Sequence, residues 1–236
     1  MRAPDQVRFT ETMSGWFAPD AAATHEAAEG IGRRVGTPGL FVLTVVTPDV
    51  DALIADPSHR APVFGCVICP SLHPRPLAVD HGHLDLFVDA EPEGRVVHMR
   101  YGLRLRDEDG RTWFLRGIKE VVRRRGWPTV FADTTTLFVD IWSTGPMGRG
   151  GFPPATPPHA APDGRPALRG ILRMGAGGVL AQGLSFRGAG RWLGLRGIVR
   201  YLVYYVRRVL HVYLGPRSAP LRPTWSRTVP EVERDG

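Results

Sequence analysis

The chain has 236 residues, 43% of them hydrophobic, with 28 glycines and 22 prolines, enough apolar material for one sizeable core and a turn density that suits many short strands. Its net charge is +7, carried almost wholly by arginine because Lys119 is the only lysine. Two cysteines, Cys66 and Cys69, exclude a disulfide-stapled scaffold. Lysine scarcity beside abundant Ala, Gly and Pro reads as a compositional bias, and a basic surface still favours anionic partners. Met1 to Asp5 lead into no apolar run, which predicts no signal peptide and a cytoplasmic protein with a membrane-surface fraction.

Residues 7–17 predict a first strand with Val7, Phe9, Glu11, Met13 and Gly15 on one face. Residues 18–36, polar and rich in Ala and Gly, predict an ordered loop, and 39–47 a β-branched strand ended by Pro48. Residues 49–60 turn helical: Asp49 caps, Asp51 sits in the first turn and Pro57 stops the helix. Strands follow at 61–69 and 83–89, with a Pro-rich crossing at 70–80 between them. In 96–106, Val97, Met99, Tyr101, Leu103 and Leu105 alternate with His98, Arg100, Gly102, Arg104 and Arg106, the period of a half-buried strand. Asp107-Glu108-Asp109-Gly110 is a hairpin turn into a strand at 111–121 that carries Trp113, Phe114, Leu115 and Ile118.

A basic turn at 122–129, holding Arg123, Arg124 and Arg125, precedes a strand at 133–142. A Gly/Pro-rich linker at 143–166 leads to a last strand pair, 167–174 and 178–187, joined at Gly175–Gly178. Nine or ten strands adjacent in sequence predict a mainly β fold, an antiparallel meander that closes into a barrel and so removes its edges. One short helix and one C-terminal helix complete a single domain over 1–214, and 215–236 reads as a disordered tail.

Residues 191–214 form a basic amphipathic helix in which Arg196, Arg200, Arg207 and His211 fall within about 60° of one another at 100° per residue. Leu195, Ile198, Leu202, Val206, Val209 and Tyr213 cover the other side. Arg196, Arg200, Arg207 and Arg208 lie inside the segment, and each would cost about 2.5–3.5 kcal/mol at mid-bilayer, against about 0.3–0.6 kcal/mol returned per aliphatic residue. The helix therefore docks on the barrel or lies in a membrane interface, where Arg196, Arg200 and Arg207 would meet anionic groups.

Cys66-Val67-Ile68-Cys69 points its cysteines to opposite strand faces, which suits core cysteines better than a metal pair. His81 and His83 share a face and could be joined by His73, Asp80 or Asp85, but no ligand spacing completes a site, so no metal is predicted. Glu11 and Asp140 are the acid/base candidates, because a carboxylate turned into a barrel would have a raised pKa. Met99, Tyr101, Trp113 and Leu137 are the residues that would line a ligand cavity. Gly175–Gly178 lacks the Lys-Ser/Thr of a phosphate loop, no G-x-S-x-G is present, and no nucleic-acid module accompanies the basic turn.

Several segments, in order, resemble an accessory domain attached to cholesterol-oxidase-like flavoproteins of the glucose–methanol–choline type in actinobacteria. They are Phe9-Thr10-Glu11-Thr12-Met13-Ser14-Gly15, Asp51 to Pro57, Met99-Arg100-Tyr101, Gly117-Ile118-Lys119, Asp133 to Leu137, Gly170-Ile171-Leu172 and Val212-Tyr213. No G-x-G-x-x-G follows a strand, so no FAD or other cofactor is expected. The resemblance implies the accessory barrel alone, without catalytic residues, acting near sterol or lipid oxidation. The leading expectation is a non-catalytic lipid- or sterol-binding barrel, similar to calycins in architecture, that meets a membrane surface or an oxidoreductase partner chain. The alternatives are a small isomerase or cyclase using Glu11 or Asp140 on a hydrophobic substrate, and a purely structural partner domain.

Overall fold

A computed structural model describes residues 5–19, 22, 24–90, 96–122, 128–146, 165–189 and 191–214. The strands run β1 (Val7–Pro19), β2 (Pro38–Thr47), β3 (Arg60–Ile68), β4 (Leu77–Asp89), β5 (Val96–Arg106), β6 (Arg111–Val122), β7 (Thr136–Pro146) and β8 (Leu168–Arg173). Each pairs antiparallel with the next, and β1 pairs with both β2 and β8, which closes an eight-stranded barrel of the calycin-like kind. A two-residue strand, β9 (Arg187–Gly188), adds to the start of β1.

Alternation carries the core. Val7, Phe9, Met13 and Phe17 of β1 face inward with Phe41, Leu43 and Val45 of β2, Met99, Tyr101, Leu103 and Leu105 of β5, and Leu137, Val139 and Ile141 of β7, all in one buried cluster. At the β1–β8 seam the backbones approach so closely that a Cβ on Gly15 would lie 1.9 Å from the Ile171 carbonyl oxygen. Gly15→Val is expected to destabilise the barrel by about 3 kcal/mol, read as a lower urea midpoint at unchanged slope.

Five helices are present among the described residues, where the sequence predicts two. The stretch read as an ordered loop contains α1 (His25–Val35), opened by the Thr24 hydroxyl on the Ala27 amide and closed by Gly36 in the left-handed region. It buries only the small residues Ala28 and Gly32 together with His25, so it lacks the large apolar stripe that identifies a helix in a sequence. The helix capped by Asp49 is present as α2 (Val50–Ala55). The strand predicted at 133–142 begins only at Thr136, after α3 (Pro128–Thr135). The strand predicted at 178–187 is instead α4 (Ala176–Ser185), a short apolar run whose length suits either state. The strand at 83–89 extends back to Leu77, into the crossing predicted to be irregular. The arginine turn at 123–125, most of the 143–166 linker and the 215–236 tail lie outside the described residues.

Between its pairings with β8 and β9, β1 has no strand neighbour on that side among the described residues. There α4 lies against it, and Ser185 Oγ accepts from Thr10 N at 2.8 Å, its own proton lying between Gln182 O at 2.7 Å and Thr10 O at 3.3 Å. α5 (Arg191–Leu214) then crosses the mouth formed by the starts of β1 and β5 and the ends of β4 and β6. Tyr201 packs on Phe9 and Phe186, Tyr205 on Phe87, and the Tyr213 hydroxyl donates to Asp133 on α3 at 2.6 Å. No helix among the described residues is long and apolar enough to cross a membrane.

Candidate functional site

A cluster of polar side chains interrupts the largely apolar inward face of the barrel. Glu11 of β1, Tyr101 of β5 and Lys119 of β6 all fall on inward positions and meet beneath α5. The Glu11 carboxylate accepts from the Tyr101 hydroxyl at 2.6 Å, from Lys119 Nζ at 3.1 and 3.3 Å, and from Gln182 Nε2 of α4 at 2.9 Å. The ammonium also stands 5.4 Å from the centroid of the Tyr101 ring. Glu11 is 4% exposed and Lys119 1%, so the pair is fully desolvated.

The phenols around this pair respond to it. Burial first, and the Glu11 charge second, push the Tyr101 hydroxyl well above its ordinary pKa, which keeps it a proton-bearing donor. Burial likewise raises Tyr201, Tyr205 and Tyr204 on α5, the last to about 12. Tyr201 and Tyr205, on the helix over the mouth, also feel the Glu11 charge. The Tyr201 hydroxyl is buried and has no hydrogen-bond partner among the described residues. Such a group has polar capacity to spare at the site.

The structure gathers the predicted site residues unevenly. Glu11 faces the interior as its parity requires, and a cation and two neutral donors meet it there. Met99, Tyr101, Trp113 and Leu137 are all buried in the same core cluster. A cleft of about 430 Å³ opens on the outer wall between Trp16, Leu40, Ile68 and Arg173 and includes none of those four. Lys119 escaped the sequence reading although its parity with Trp113, Leu115 and Val121, and its being the only lysine, both mark it. Gln182 was hidden by the misread strand at 178–187.

Asp140 faces the other way. It lies on the outer wall at the start of α1, where Arg169 Nε is 2.8 Å away, Arg116 Nη2 3.2 Å and His25 Nε2 3.4 Å. Burial alone would raise its pKa; the His25 and Arg169 contacts outweigh that and hold it at about 2, below the ordinary 3.8. A carboxylate with a lowered folded pKa stabilises the fold above its unfolded pKa, and loses that contribution as pH falls through the folded one. Asp140→Asn is therefore expected to cost about 2 kcal/mol at neutral pH. The variant should also show a flatter loss of stability than the parent between about pH 4 and about pH 2 in urea titrations.

The residues weighed as metal ligands disperse. His81 is exposed, Asp85 is held in a fork by Arg60 Nε and Nη2 at 2.7 and 2.9 Å, and Asp80 pairs with Arg104 and Arg106. His73 instead lies with Asp107 and Asp109 at the β5–β6 hairpin, their ligand atoms within 4.8 Å of one another. Cys69 is buried, which raises its thiol pKa, and Cys66 is half-buried; both are free.

On α5 the apolar side predicted as one surface divides in two. Ile198, Tyr201, Tyr205, Val209 and Val212 turn toward the barrel. Leu195, Val199, Leu202, Val203 and Val206 are 42–55% exposed and fall within about 100° of helix surface beside the basic stripe. α4 adds Leu180 and Leu184, both exposed. Of the three arginines predicted to meet anions, Arg196 lies 3.5 Å from Asp5, and Arg200 pairs with Asp5 and Asp51, so these two pin the helix to the barrel. Arg207 and His211 are exposed. Comparison with family models, curated proteins and solved structures finds no match for this chain.

Proposed function

We propose that this chain is a non-catalytic lipid-handling barrel that works against an anionic membrane surface and takes one apolar molecule, of the sterol or fatty type, beneath α5. The observation that carries the reading is the division of α5 into three sectors. One sector packs over the mouth, one is apolar and exposed, and one is basic, with no acidic residue anywhere in the helix. An exposed apolar stripe flanked by arginine is the pattern of a helix lying in a lipid interface. A partner that is itself lipid would meet the stripe at the place where an apolar molecule would pass into the barrel. The Glu11–Lys119–Tyr101 cluster and the spare Tyr201 hydroxyl then supply the few polar contacts that orient such a molecule. The resemblance to a cholesterol-oxidase-associated domain makes sterols the first ligands to try.

The test is flotation of the full chain with phosphatidylcholine vesicles, with and without phosphatidylglycerol, followed by solvent extraction of the purified protein and mass spectrometry. Flotation that needs the anionic lipid and falls with salt, together with a stoichiometric co-purified lipid, supports the reading. No flotation and no bound lipid would overturn it and favour an oxidoreductase chain as the partner of the exposed stripe.

A further inference from the structure

We infer that Lys119 is a carbonyl-capturing amine, and that the ligand of the barrel is an apolar aldehyde or ketone held as an imine; this rests on the ligand-binding reading above. Every other basic residue of the chain among the 30 Lys and Arg is arginine. At a buried carboxylate an arginine fork is the stronger partner, yet this position holds an amine. A guanidinium keeps its proton and does not attack carbon, whereas lysine can lose its proton and act as a nucleophile.

The neighbours supply what imine formation needs. Glu11, 3.1 Å from Nζ, is the proton acceptor; Tyr101, 2.6 Å from the same carboxylate, is a phenol held in its protonated form. The unpartnered Tyr201 hydroxyl is a donor available to a carbonyl oxygen. The apolar surroundings exclude the water that would hydrolyse the product.

The ammonium passes one proton to Glu11, and the freed nitrogen pair attacks the carbonyl carbon. A nitrogen-bound proton moves through Tyr101 to the former carbonyl oxygen, giving a carbinolamine. Glu11 returns its proton to that hydroxyl, which leaves as water, and the nitrogen pair forms the C=N bond. One ammonium and one carbonyl become one protonated imine and one water, with the Glu11 carboxylate as counter-ion and no oxidant or reductant required.

The full chain is incubated with decanal and sodium cyanoborohydride and weighed intact and after digestion. The expected product is a single adduct on Lys119 whose added mass is decanal less one oxygen atom. Tyr101→Phe, which keeps both charges, should slow its formation about a hundredfold at unchanged circular dichroism. Decanol, which has no carbonyl, should protect Lys119. Labelling confined to the terminal amine, or an equal rate in Tyr101→Phe, would overturn the inference. If decanol raises the thermal midpoint while Lys119 stays unlabelled by decanal, the ligand reading stands and the carbonyl chemistry falls; if neither compound shifts the midpoint, both fall.

Discussion

Lys119→Met is expected to destabilise the protein by about 3–5 kcal/mol, because it strands a charged Glu11 in the barrel interior. For a chain of this size that corresponds to a thermal midpoint lower by roughly 10 °C. The remaining donors, Tyr101 and Gln182, are neutral and cannot cancel the charge. The double variant Glu11→Gln with Lys119→Met should recover most of the loss, since two neutral side chains of similar size remove the desolvation penalty along with the attraction. A double-mutant cycle by urea unfolding measures this directly. A coupling energy near zero would mean that water, not Lys119, screens Glu11. If the double variant is stable but retains no lipid, the ion pair is present for its chemistry rather than for the fold. Recovered stability in the double variant follows from the physics of buried pairs, which are weak stabilisers compared with apolar residues of the same volume.

Replacing Val199, Leu202 and Val206 together by glutamate should lower the affinity for anionic vesicles more than a hundredfold while leaving the fold intact. All three are about half exposed, so their substitution removes little from the core. Full burial of such a side chain is worth about 1.5–3 kcal/mol, so its exposed half contributes about 1 kcal/mol in an interface. Three of them account for about 3 kcal/mol, a factor of roughly a hundred. Each added carboxylate is also repelled by anionic lipid, by about 1 kcal/mol near the surface. Vesicle cosedimentation reads the change, and an unchanged urea midpoint checks the fold. Substituting Ile198 and Val209 by alanine, on the face turned toward the barrel, should instead lower the urea midpoint, because these side chains pack in or against the core.

The barrel was legible because its strands alternate. Val97 to Leu105 and Trp113 to Val121 carry a period of two that no helix shares, and the hairpin between them ends in Asp-Gly. α1 was not legible, because its packing face is Ala28 and Gly32, and close approach to Phe17 needs small residues. α4 was misread because Val179, Leu180 and Leu184 sit in a run too short for periodicity to separate helix from strand. Glu11 could be placed inside the barrel from its neighbours Phe9 and Met13. Its partners could not, because strand parity gives the face of a residue but not the height at which three distant strands bring their side chains together. Asp140 shows the same limit. Its parity places it outside, and only the fold reveals that α1 covers it with His25 while Arg116 and Arg169 flank it.

The closing of the barrel through β1 has a consequence for the order in which this chain is made. Thr10 is bonded to Ser185, 175 residues away, while its other neighbour, β2, follows almost at once. At about 5–20 residues per second of synthesis, β1 waits roughly 10–30 s with one edge bare. A bare edge of alternating apolar residues recruits other chains. The outward positions in the first half of that strand are Arg8, Thr10, Thr12 and Ser14, all polar or charged, before Trp16 and Ala18 follow. They keep the unfinished sheet wet on its outer side until residues 168–188 emerge and complete the ring.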